Sequence, residues 1–593
     1  MLPNRDQQDL AAALARVLRR QARQWNAERS GDLVADMSEL LGSLRAMVGR
    51  GSAGEQPERG PRKFWGWGYE NEGPDALMVE VFLEFIKARF GLESFAEIPA
   101  PRLDELELRP PRFELPESLA PWCSDDTFDR ASHSYGKAFR DIVRALEGRF
   151  DNPPDYVAFP EREDQILELV RFCEAQQVAL VVYGGGSSVV GGIEPTRASR
   201  YAGVITLDMK RFDSLLEVDE RSRCARAQAG IYGPALEAAL KPHGLSPRFY
   251  PQSFEFSTLG GWIATRAVGH YCTLYTHIDD ILESVRVVTP AGVHETRRLP
   301  ASGAGPSQER LWLGSEGTLG IITEAWIRVH ARPQHRSSTT VKFDDFMTGA
   351  EAVRELSQSK LYPVNCRLVS AMEAVSMGLG DGKHAMLLLG FESERYEQHE
   401  PMERAVAIYR AHGGRPAKVE HKRSSSGARK GSAGSWRNNF LKAPYLRDIL
   451  AQKGLVIETF ETAVIWERFP TFHQAILSAA QRAFDEHCEG RGFITCRFTH
   501  IYPDGPAPYY SVIAWAPPGK QVEIWDAIKA SVSDALIEHG GTITHHHAVG
   551  RDHLPWYARE RGALFETTLE GLKSTLDPNW VLNPGVLLAE RES

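Results

Sequence analysis

The chain has 593 residues, of which 42% are apolar and 25% are charged, and its formal net charge is -9. It is too long for a single hydrophobic core, so we expect a globular protein of roughly two to four domains. The negative charge argues against nucleic acid as a bulk partner. No apolar run approaches the roughly 20 residues that span a bilayer, and we find neither a secretory signal nor a convincing peroxisomal address, so we expect a cytoplasmic protein.

Cysteine usage points the same way. The chain has 7 cysteines, and no two of them form a C-x-x-C pair. An odd, dispersed set fits neither a disulfide framework nor a zinc knuckle. We therefore expect reduced thiols, mostly buried, and no metal site.

The first 120 residues are predicted to form a helical extension and a linker. From Gln7 to Val48, apolar residues recur at helical spacing with arginines nearby, which predicts one or two amphipathic helices. We favour packing of these helices on the body of the protein or on a second subunit of a homodimer. The alternative is a basic arm in peripheral contact with a membrane. The aromatic stretch from Phe64 to Tyr69 is too apolar for a free linker, so we expect it to be buried.

A glycine-rich loop follows the apolar run from Val178 to Val182. The loop consists of Tyr183, Gly184, Gly185, Gly186, Ser187 and Ser188. Successive glycines let backbone N–H groups approach an anion, and the serines add hydroxyl donors, so the loop could cradle a phosphate. It is not a Walker loop, because no Lys-Ser/Thr pair follows. It is not a G-x-G-x-x-G fingerprint either, because Val189 stands at the last position. Taken alone, an ordinary turn is the better interpretation.

The pattern around this loop is typical of an α+β half-domain. A helix is predicted from Ser124 to about Arg144, opened by an acidic N-cap cluster, and another from Glu161 to Gln176. Strands are predicted from Val178 to Tyr183, from Gly203 to Asp208 and from Cys224 to Gly230.

Two further segments combine glycine with hydroxylic residues: P-Q-S-F-E-F-S-T-L-G-G-W from Pro251 and G-S-E-G-T-L-G-I-I-T-E-A from Gly314. Three such segments in one half-domain are much less expected of ordinary turns. Together with Y-G-G-G-S-S, they resemble the FAD-binding domain of the vanillyl-alcohol oxidase flavoprotein superfamily. Within it they resemble the alkyldihydroxyacetonephosphate synthases, a family of ether-lipid enzymes. The resemblance extends from Trp65 to Asn579.

The resemblance implies an α+β fold with a two-subdomain FAD-binding domain at residues 121–333 and an α+β cap domain at residues 334–530. A C-terminal segment, residues 531–593, would return to the FAD site. The residues implied to contact FAD are Tyr183, Gly184, Gly185, Gly186, Ser187, Ser188, Gln252, Ser253, Ser257, Thr258, Thr265, Arg266, Ala267, Glu316, Gly317, Thr318 and Ile322. We expect FAD to be bound non-covalently, because the first loop has no histidine or other strong nucleophile.

Four cap residues are assigned roles through the resemblance. Arg367 matches an arginine held close to the flavin N5, although without the family it would be taken for a surface guanidinium. Arg447 matches an arginine that contacts substrate phosphate, which suits a bidentate, permanently charged group. Thr459 keeps the hydroxyl of the family's serine and is assigned to substrate binding. Tyr509 matches the acid/base tyrosine, and a phenol in this role needs neighbours that lower its pKa.

Three adjacent histidines, His545, His546 and His547, follow a Gly540-Gly541 turn. On an extended segment, the first and third would share one face and the second would point to the other. Proton transfer and phosphate binding fit this triplet better than a metal site, which has no supporting Cys/Asp/Glu spacing. The triplet is the synthase family's most distinctive motif in this chain.

The reaction implied by the resemblance is redox-neutral. The acyl chain of acyl-dihydroxyacetone phosphate is exchanged for a long-chain fatty alcohol through a covalent bond to the flavin N5, which forms the ether bond of an ether lipid. The alternatives are an FAD-dependent 2-hydroxyacid dehydrogenase or oxidase on the same fold and a catalytically silent flavin- or lipid-binding paralogue. Phe249 keeps both alternatives open, because family members commonly have a histidine at this position and one polar contact of the family would be missing here.

Overall fold

The structure is a computed structural model that describes residues 60–376, 381–423 and 443–590. The amphipathic helices predicted between Gln7 and Val48 lie outside the described residues. Within the three described ranges, no helix combines the length and the apolar character needed to cross a membrane. All seven cysteines are free thiols and six of them are buried, as predicted.

The aromatic stretch predicted to be buried is buried from Phe64 to Gly68, with Phe64 and Trp67 only 7% and 5% exposed, whereas Tyr69 is half-buried. Trp67 packs edge-on against Phe256, with ring centroids 5.4 Å apart, and its backbone N–H donates to the carboxylate of Asp448. The stretch leads into helix α1 (Ala76–Phe90). It therefore ties the start of the described chain to both of the domains that follow.

The first subdomain alternates short strands and helices: β1 (Cys123–Ser124), α2 (Thr127–Ser132), α3 (Phe139–Leu146), β2 (Tyr156–Ala158), α4 (Glu163–Gln176), β3 (Val178–Tyr183) and β4 (Gly203–Asp208). The sheet order is β1-β2-β4-β3, and β2, β4 and β3 run parallel. Parallel strands joined by helices are covered on both faces, which explains why β3 and β4 are mostly apolar. The predictions of β3 and β4 are confirmed.

The single helix predicted from Ser124 to Arg144 is wrong, because the chain forms α2 and α3 instead. Asp126 caps α2, as the acidic cluster predicts, by accepting two backbone N–H groups. The break falls at Gly136, where an added Cβ would lie 2.4 Å from the carbonyl oxygen of Ser188. The N–H of Lys137 donates to that same oxygen. The break thus brings this segment against the glycine-rich loop.

The second subdomain consists of antiparallel strands and short helices: β5 (Leu215–Asp219), β6 (Cys224–Gln228), α5 (Gly233–Leu240), β7 (Leu245–Ser246), α6 (Leu259–Ala264), α7 (Cys272–Tyr275), α8 (Ile278–Ile281), β8 (Leu282–Thr289), β9 (Gly292–Glu295), β10 (Ile321–Arg328) and β11 (His330–Ala331). The main sheet has the order β5-β6-β10-β8-β9, and β7 pairs with β11. The strand predicted to begin at Cys224 is confirmed as β6.

The cap is a large antiparallel sheet with helices on it: β12 (His335–Phe343), α9 (Phe346–Gln358), β13 (Asn365–Val369), α10 (Ala371–Ser376), β14 (Ala385–Ser393), α11 (His399–Ala411), β15 (Arg415–Pro416), β16 (Glu420–Arg423), α12 (residues 443–452), β17 (Leu455–Glu461), α13 (Phe469–His487), β18 (Gly492–Ile501), β19 (Pro506–Trp515) and α14 (Gln521–Glu538). Its order is β15-β12-β14-β13-β18-β19-β17, and β16 also pairs with β12. The chain changes sheets between β11 and β12, where the cap is predicted to begin.

After α14 the chain returns to the first subdomain through α15 (Leu554–Arg561) and α16 (Ala563–Leu576). The predicted start of this returning segment, residue 531, lies inside α14. Beyond α16 the chain runs beside β3: the N–H of Leu180 donates to Val581 over 2.7 Å, and the N–H of Asn583 donates back to Leu180 over 2.9 Å. The Asn583 side chain also donates to the carbonyl oxygens of Gly192 and Glu316. The returning segment therefore completes the first subdomain.

Candidate active site

A cavity of about 720 Å³ lies between the two subdomains and the cap. The three glycine segments line it on one side, and β17, β18 and β19 line it on the other. The predicted FAD contacts found in its lining are Gly184, Gly185, Gly186, Ser187, Ser188, Gln252, Ser253, Ser257, Thr258, Thr265, Ala267, Glu316, Gly317 and Ile322. The fold thus brings together segments that are far apart in the sequence.

The glycine-rich loop presents its backbone to the cavity. Within the described part of the chain, the N–H groups of residues 185–189 donate no hydrogen bond to another protein group. Unpaired N–H groups in a partly buried loop are costly unless a ligand accepts from them, and several in succession favour an anion. The pyrophosphate of FAD offers such acceptor oxygens, so the loop fits the predicted cofactor.

Replacing Gly185 with alanine is expected to abolish flavin binding. An added Cβ would lie 1.9 Å from the carbonyl oxygen of Phe256, so the loop would have to separate from the second glycine segment. Flavin absorbance of the purified variant measures the effect. Gly571→Ala in α16 is the matched control, because its Cβ would meet nothing within 4 Å. A full flavin content in the Gly185 variant would contradict this expectation.

Three predicted FAD contacts, Tyr183, Arg266 and Thr318, are not among the residues that line the cavity. Tyr183 stands behind the loop and donates from its phenol to a backbone carbonyl at the end of α2. Arg266 forms an ion pair with Asp279. Thr318 donates to a backbone carbonyl of the returning segment. These side chains hold the segments in place, whereas their neighbours face the cavity.

Glu316 lines the cavity, but its carboxylate bonds to the protein itself. Its two oxygens accept the backbone N–H groups of Val549 and Gly550, each over 2.9 Å. Burial raises the pKa of Glu316 to about 7, against the opposing effect of these two hydrogen bonds. Glu316 therefore joins the third glycine segment to the chain that follows the histidine triplet.

One face of β17, β19 and β18 forms the cap side of the cavity, and we call it the graded wall. Residues opposite one another form three rows: Glu461, Tyr509 and Arg497; then Thr459, Ser511 and Thr495; then Ile457, Ile513 and Phe493. All of them except Glu461 line the cavity. Since alternate residues of a strand share a face, successive rows are about 7 Å apart. The wall therefore passes from a charged end through hydroxyl groups to an apolar end.

Tyr509 stands at the charged end of the graded wall, with the guanidinium carbon of Arg497 3.9 Å from its ring centroid. Burial raises the pKa of Tyr509 above its usual value, and Arg497 and a hydrogen bond with Thr459 offset only part of this effect. The neighbours therefore lower this pKa, as the acid/base role requires, but burial outweighs them. The phenol keeps its proton at neutral pH, which suits a proton donor.

The histidine triplet is wrapped around Glu461. The backbone N–H groups of His545, His546 and His547 all donate to its carboxylate, over 2.6 to 2.9 Å. The segment is therefore bent, and the predicted alternation of faces is wrong. His546 and His547 both line the cavity, with ring centroids 6.1 and 5.6 Å from that of Tyr509, whereas His545 lies outside the lining.

Charge around the triplet is organised by Glu461. Burial alone would raise the pKa of Glu461, but the adjacent His546 ring, through its charge and a hydrogen bond, holds that pKa well below its ordinary value. Burial lowers the pKa values of His545 and His547 well below their ordinary values, so these rings are neutral proton acceptors. A buried carboxylate, neutral imidazoles and a protonated phenol form a set that can move protons.

The two predicted arginines occupy different positions. Arg447, on α12, lines the cavity and donates to the carbonyl oxygen of Lys137. Arg367, on β13, is 1% exposed and is not one of the lining residues, so it is not a surface guanidinium. Burial, together with neighbouring Arg497, lowers the pKa of Arg367 to about 9. Arg447 is therefore placed to meet a ligand, and Arg367 adds positive charge beside Arg497.

Sequence reasoning assigned no role to three charged residues of the site: Glu461, Arg497 and Lys137. Arg497 forms a buried ion pair with Glu373, and both line the cavity. Burial lowers the pKa of Lys137 to about 8. Period-two alternation places Glu461 on the same face of β17 as Thr459, whereas the sequence singled out no residue of β18, which carries Arg497. Only the strand register shows that Glu461 and Arg497 both stand opposite Tyr509.

Phe249, where the family commonly has a histidine, is 2% exposed and lies outside the cavity lining. Its ring packs against Trp262, with centroids 5.0 Å apart. Phenylalanine at this position therefore packs in the aromatic core of the second subdomain and does not face the cavity.

The chain is similar to known flavoproteins over most of its length. Residues 154–297 match the family model of an FAD binding domain, and residues 332–587 match that of the FAD linked oxidases, C-terminal domain. The alkyldihydroxyacetonephosphate synthase of Dictyostelium discoideum is 31% identical over 532 residues, which cover 83% of this chain and 84% of that protein. The synthase of Trypanosoma brucei brucei is 27% identical over 489 residues, which cover 78% of each.

A solved structure of an alkyldihydroxyacetonephosphate synthase has a TM-score of 0.73 and 26% identity, covering 88% of this chain and 98% of that one. The two family models together include the first two glycine segments, the graded wall and most of the returning segment. The residues around the cavity also fit FAD, as the unpaired N–H groups of the loop show. The chain therefore belongs to the alkyldihydroxyacetonephosphate synthase family of FAD-dependent enzymes.

Proposed function

We propose that this chain exchanges the acyl chain of acyl-dihydroxyacetone phosphate for a long-chain fatty alcohol and so forms an ether lipid. The graded wall carries the proposal. Its charged end would surround the polar head of the substrate, its hydroxyl row would accompany the linking oxygens, and its apolar end would pack on the hydrocarbon chain. The reaction exchanges two oxygen substituents on one carbon and involves no net oxidation.

The apolar end is large enough to matter energetically. Val79 and Phe82 of α1 and Leu450 of α12 complete it opposite Ile513 and Phe493. Each methylene that leaves water contributes about 0.8 kcal/mol, so even part of a long chain contributes several kcal/mol to binding. This favours long-chain over short-chain alcohols as the second substrate.

Arg447 is the proposed phosphate contact, since its guanidinium can bond phosphate oxygens bidentately. Arg447→Leu is expected to raise the KM for acyl-dihydroxyacetone phosphate about 10- to 100-fold, because charge-assisted hydrogen bonds contribute about 1.5–3 kcal/mol. Steady-state kinetics measure the change. Arg482→Leu, an exposed arginine on α13, is the matched control. An unchanged KM in the Arg447 variant would remove this residue from the substrate site.

The protein's own groups divide the proton transfers. The phenol oxygen of Tyr509 holds a proton that it can donate to a substrate oxygen, while ring nitrogens of His546 and His547 can accept one from the substrate carbon. Glu461 holds these two rings in place through their backbone N–H groups. When bound, FAD supplies the electrophilic N5 centre at which the substrate carbon exchanges its substituents.

Formation of radiolabelled ether product from labelled hexadecanol and acyl-dihydroxyacetone phosphate tests the proposal. We expect product in proportion to flavin-loaded enzyme, without consumption of an electron acceptor. A protein that holds FAD, forms no ether and loses flavin colour with a 2-hydroxy acid would instead be a dehydrogenase or oxidase of the same fold. A flavin-loaded protein inert in both assays would be a silent paralogue.

A further inference from the structure

A line of hydrogen bonds leaves the cavity at His546 and ends at a partly exposed histidine. The Nδ1 atom of His546 lies 3.0 Å from Nδ1 of His545, whose Nε2 lies 2.8 Å from the phenol oxygen of Tyr502. That oxygen lies 2.5 Å from Nε2 of His277. Since His277 follows the exposed Thr276 at the start of α8, the line joins the cavity to the surface.

We propose that His546, His545, Tyr502 and His277, which we call the His277 relay, carry protons between the cavity and solvent; this proposal rests on the proposed function. In the outward direction, His546 accepts a proton at Nε2 and passes its Nδ1 proton to Nδ1 of His545. The Nε2 proton of His545 passes to the phenol oxygen of Tyr502, and the phenol's own proton passes to Nε2 of His277.

The transfer ends when His277 releases its Nδ1 proton to water. Each of the four groups gains one proton and loses one, so the relay needs neither an oxidant nor a reductant. After the transfer, each histidine ring carries its proton on the other nitrogen, and the reverse transfer restores the original arrangement. Proton uptake follows the same atoms in the opposite order.

Two features favour a relay over a purely structural contact. The phenol oxygen of Tyr502 lies between two imidazole nitrogens, whereas a single partner would satisfy its proton. Burial lowers the pKa values of His545 and His277, so each ring has one protonated and one bare nitrogen, as proton transfer requires. The charged groups that face His277 are Asp279, Arg266, Asp280 and His546.

His500 provides the competing interpretation. Its ring stacks on that of His545 at 5.3 Å, and ring nitrogens of His500, His545 and His546 lie within 4.8 Å of one another, a set that could hold a divalent cation. However, both nitrogens of His545 are already engaged by His546 and Tyr502, and Nε2 of His500 bonds to Gly269. The observations therefore favour the relay.

Two variants of the flavin-loaded enzyme test the relay. Tyr502→Phe removes the central oxygen and keeps the ring, and we expect ether formation to slow about 100-fold at an unchanged flavin content, within the range for proton transfer. His277→Ala should slow the reaction similarly, and added imidazole should restore the rate in proportion to its concentration. His243→Ala is the control, since His243 is exposed and paired with Glu220. This variant should keep the wild-type rate, and added imidazole should not alter it.

Nitrogen-15 NMR of histidine-labelled protein gives a readout that does not depend on activity. Tyr502→Phe should shift the ring signals of both His277 and His545. Wild-type rates in both variants, a slow His277→Ala variant that imidazole does not restore, or stoichiometric zinc in the purified enzyme would overturn the relay. If the wild type itself forms no ether, the proposed function fails. In that case the relay is judged by NMR alone, and it is overturned if Tyr502→Phe leaves the His277 and His545 signals unchanged.

Discussion

Replacement of Glu461 by glutamine is expected to reduce ether formation by at least ~100-fold and to lower the free energy of unfolding by about 3–5 kcal/mol. The carboxylate is 2% exposed and accepts the backbone N–H groups of His545, His546 and His547. An amide has only one acceptor oxygen, and its NH₂ group would face these donors. The triplet would therefore move away from Tyr509, and the negative charge beside the rings would be lost.

The same residue predicts a dependence of stability on pH. The pKa of Glu461 is held well below its ordinary value in the folded protein, so it contributes stability above its unfolded pKa of about 4.5, and this is lost as pH falls through the folded pKa. Glu461→Gln should lack this loss in acid. Denaturant unfolding of both proteins between neutral and acidic pH measures the difference.

Glu467→Gln is the matched control for Glu461, since Glu467 is exposed on the connection before α13. It should leave rate and stability unchanged. If Glu461→Gln keeps both its rate and its acid transition, the triplet is positioned by something other than this carboxylate.

Replacement of Tyr509 by phenylalanine is expected to slow ether formation about 100- to 10,000-fold while flavin binding is retained. The ring would still fill its buried site against Arg497, so only the phenol oxygen and its hydrogen bond with Thr459 are removed. Single-turnover rates with the flavin-loaded variant measure the loss. Because the pKa of Tyr509 is raised, we expect the tyrosine-dependent rate to fall only in alkaline solution, when the phenol loses its proton.

Tyr510 provides a matched control for Tyr509, since it is the next residue and faces the opposite side of β19. Its phenol bonds to Nδ1 of His473 in the cap core. Tyr510→Phe should cost about 1 kcal/mol of stability and leave the rate unchanged. If both variants keep the wild-type rate, neither phenol is the proton donor and the acid/base assignment fails.

The flavin side of the site could be predicted from sequence because its signals are local. Gly184, Gly185 and Gly186 follow an apolar strand directly, and three such segments occur within about 140 residues, which is enough to indicate a nucleotide pocket. The strand before the loop was likewise predictable, because a parallel strand buried on both faces is a short apolar run bounded by turn residues.

The cap side could not be predicted in the same way, because its geometry depends on pairs far apart in the chain. Extended backbone is a reasonable expectation for three adjacent histidines, yet Glu461 gathers their N–H groups from more than eighty positions away. The net shift of the Tyr509 pKa could not be predicted from sequence either. Arg497 is adjacent, but burial outweighs its charge, and burial depends on the packing of the whole cap.

The pairing of Leu180 with the returning segment has a consequence for biosynthesis. The partners of β3 and of the third glycine segment, Val581 and Asn583, are made about 400 residues after β3, which takes roughly 20–80 s at ordinary rates of translation. Until then, the first subdomain lacks one edge. We therefore expect the chain to bind flavin only after the returning segment has left the ribosome. A shortage of flavin would then affect the folding of newly made chains as well as the activity of finished ones.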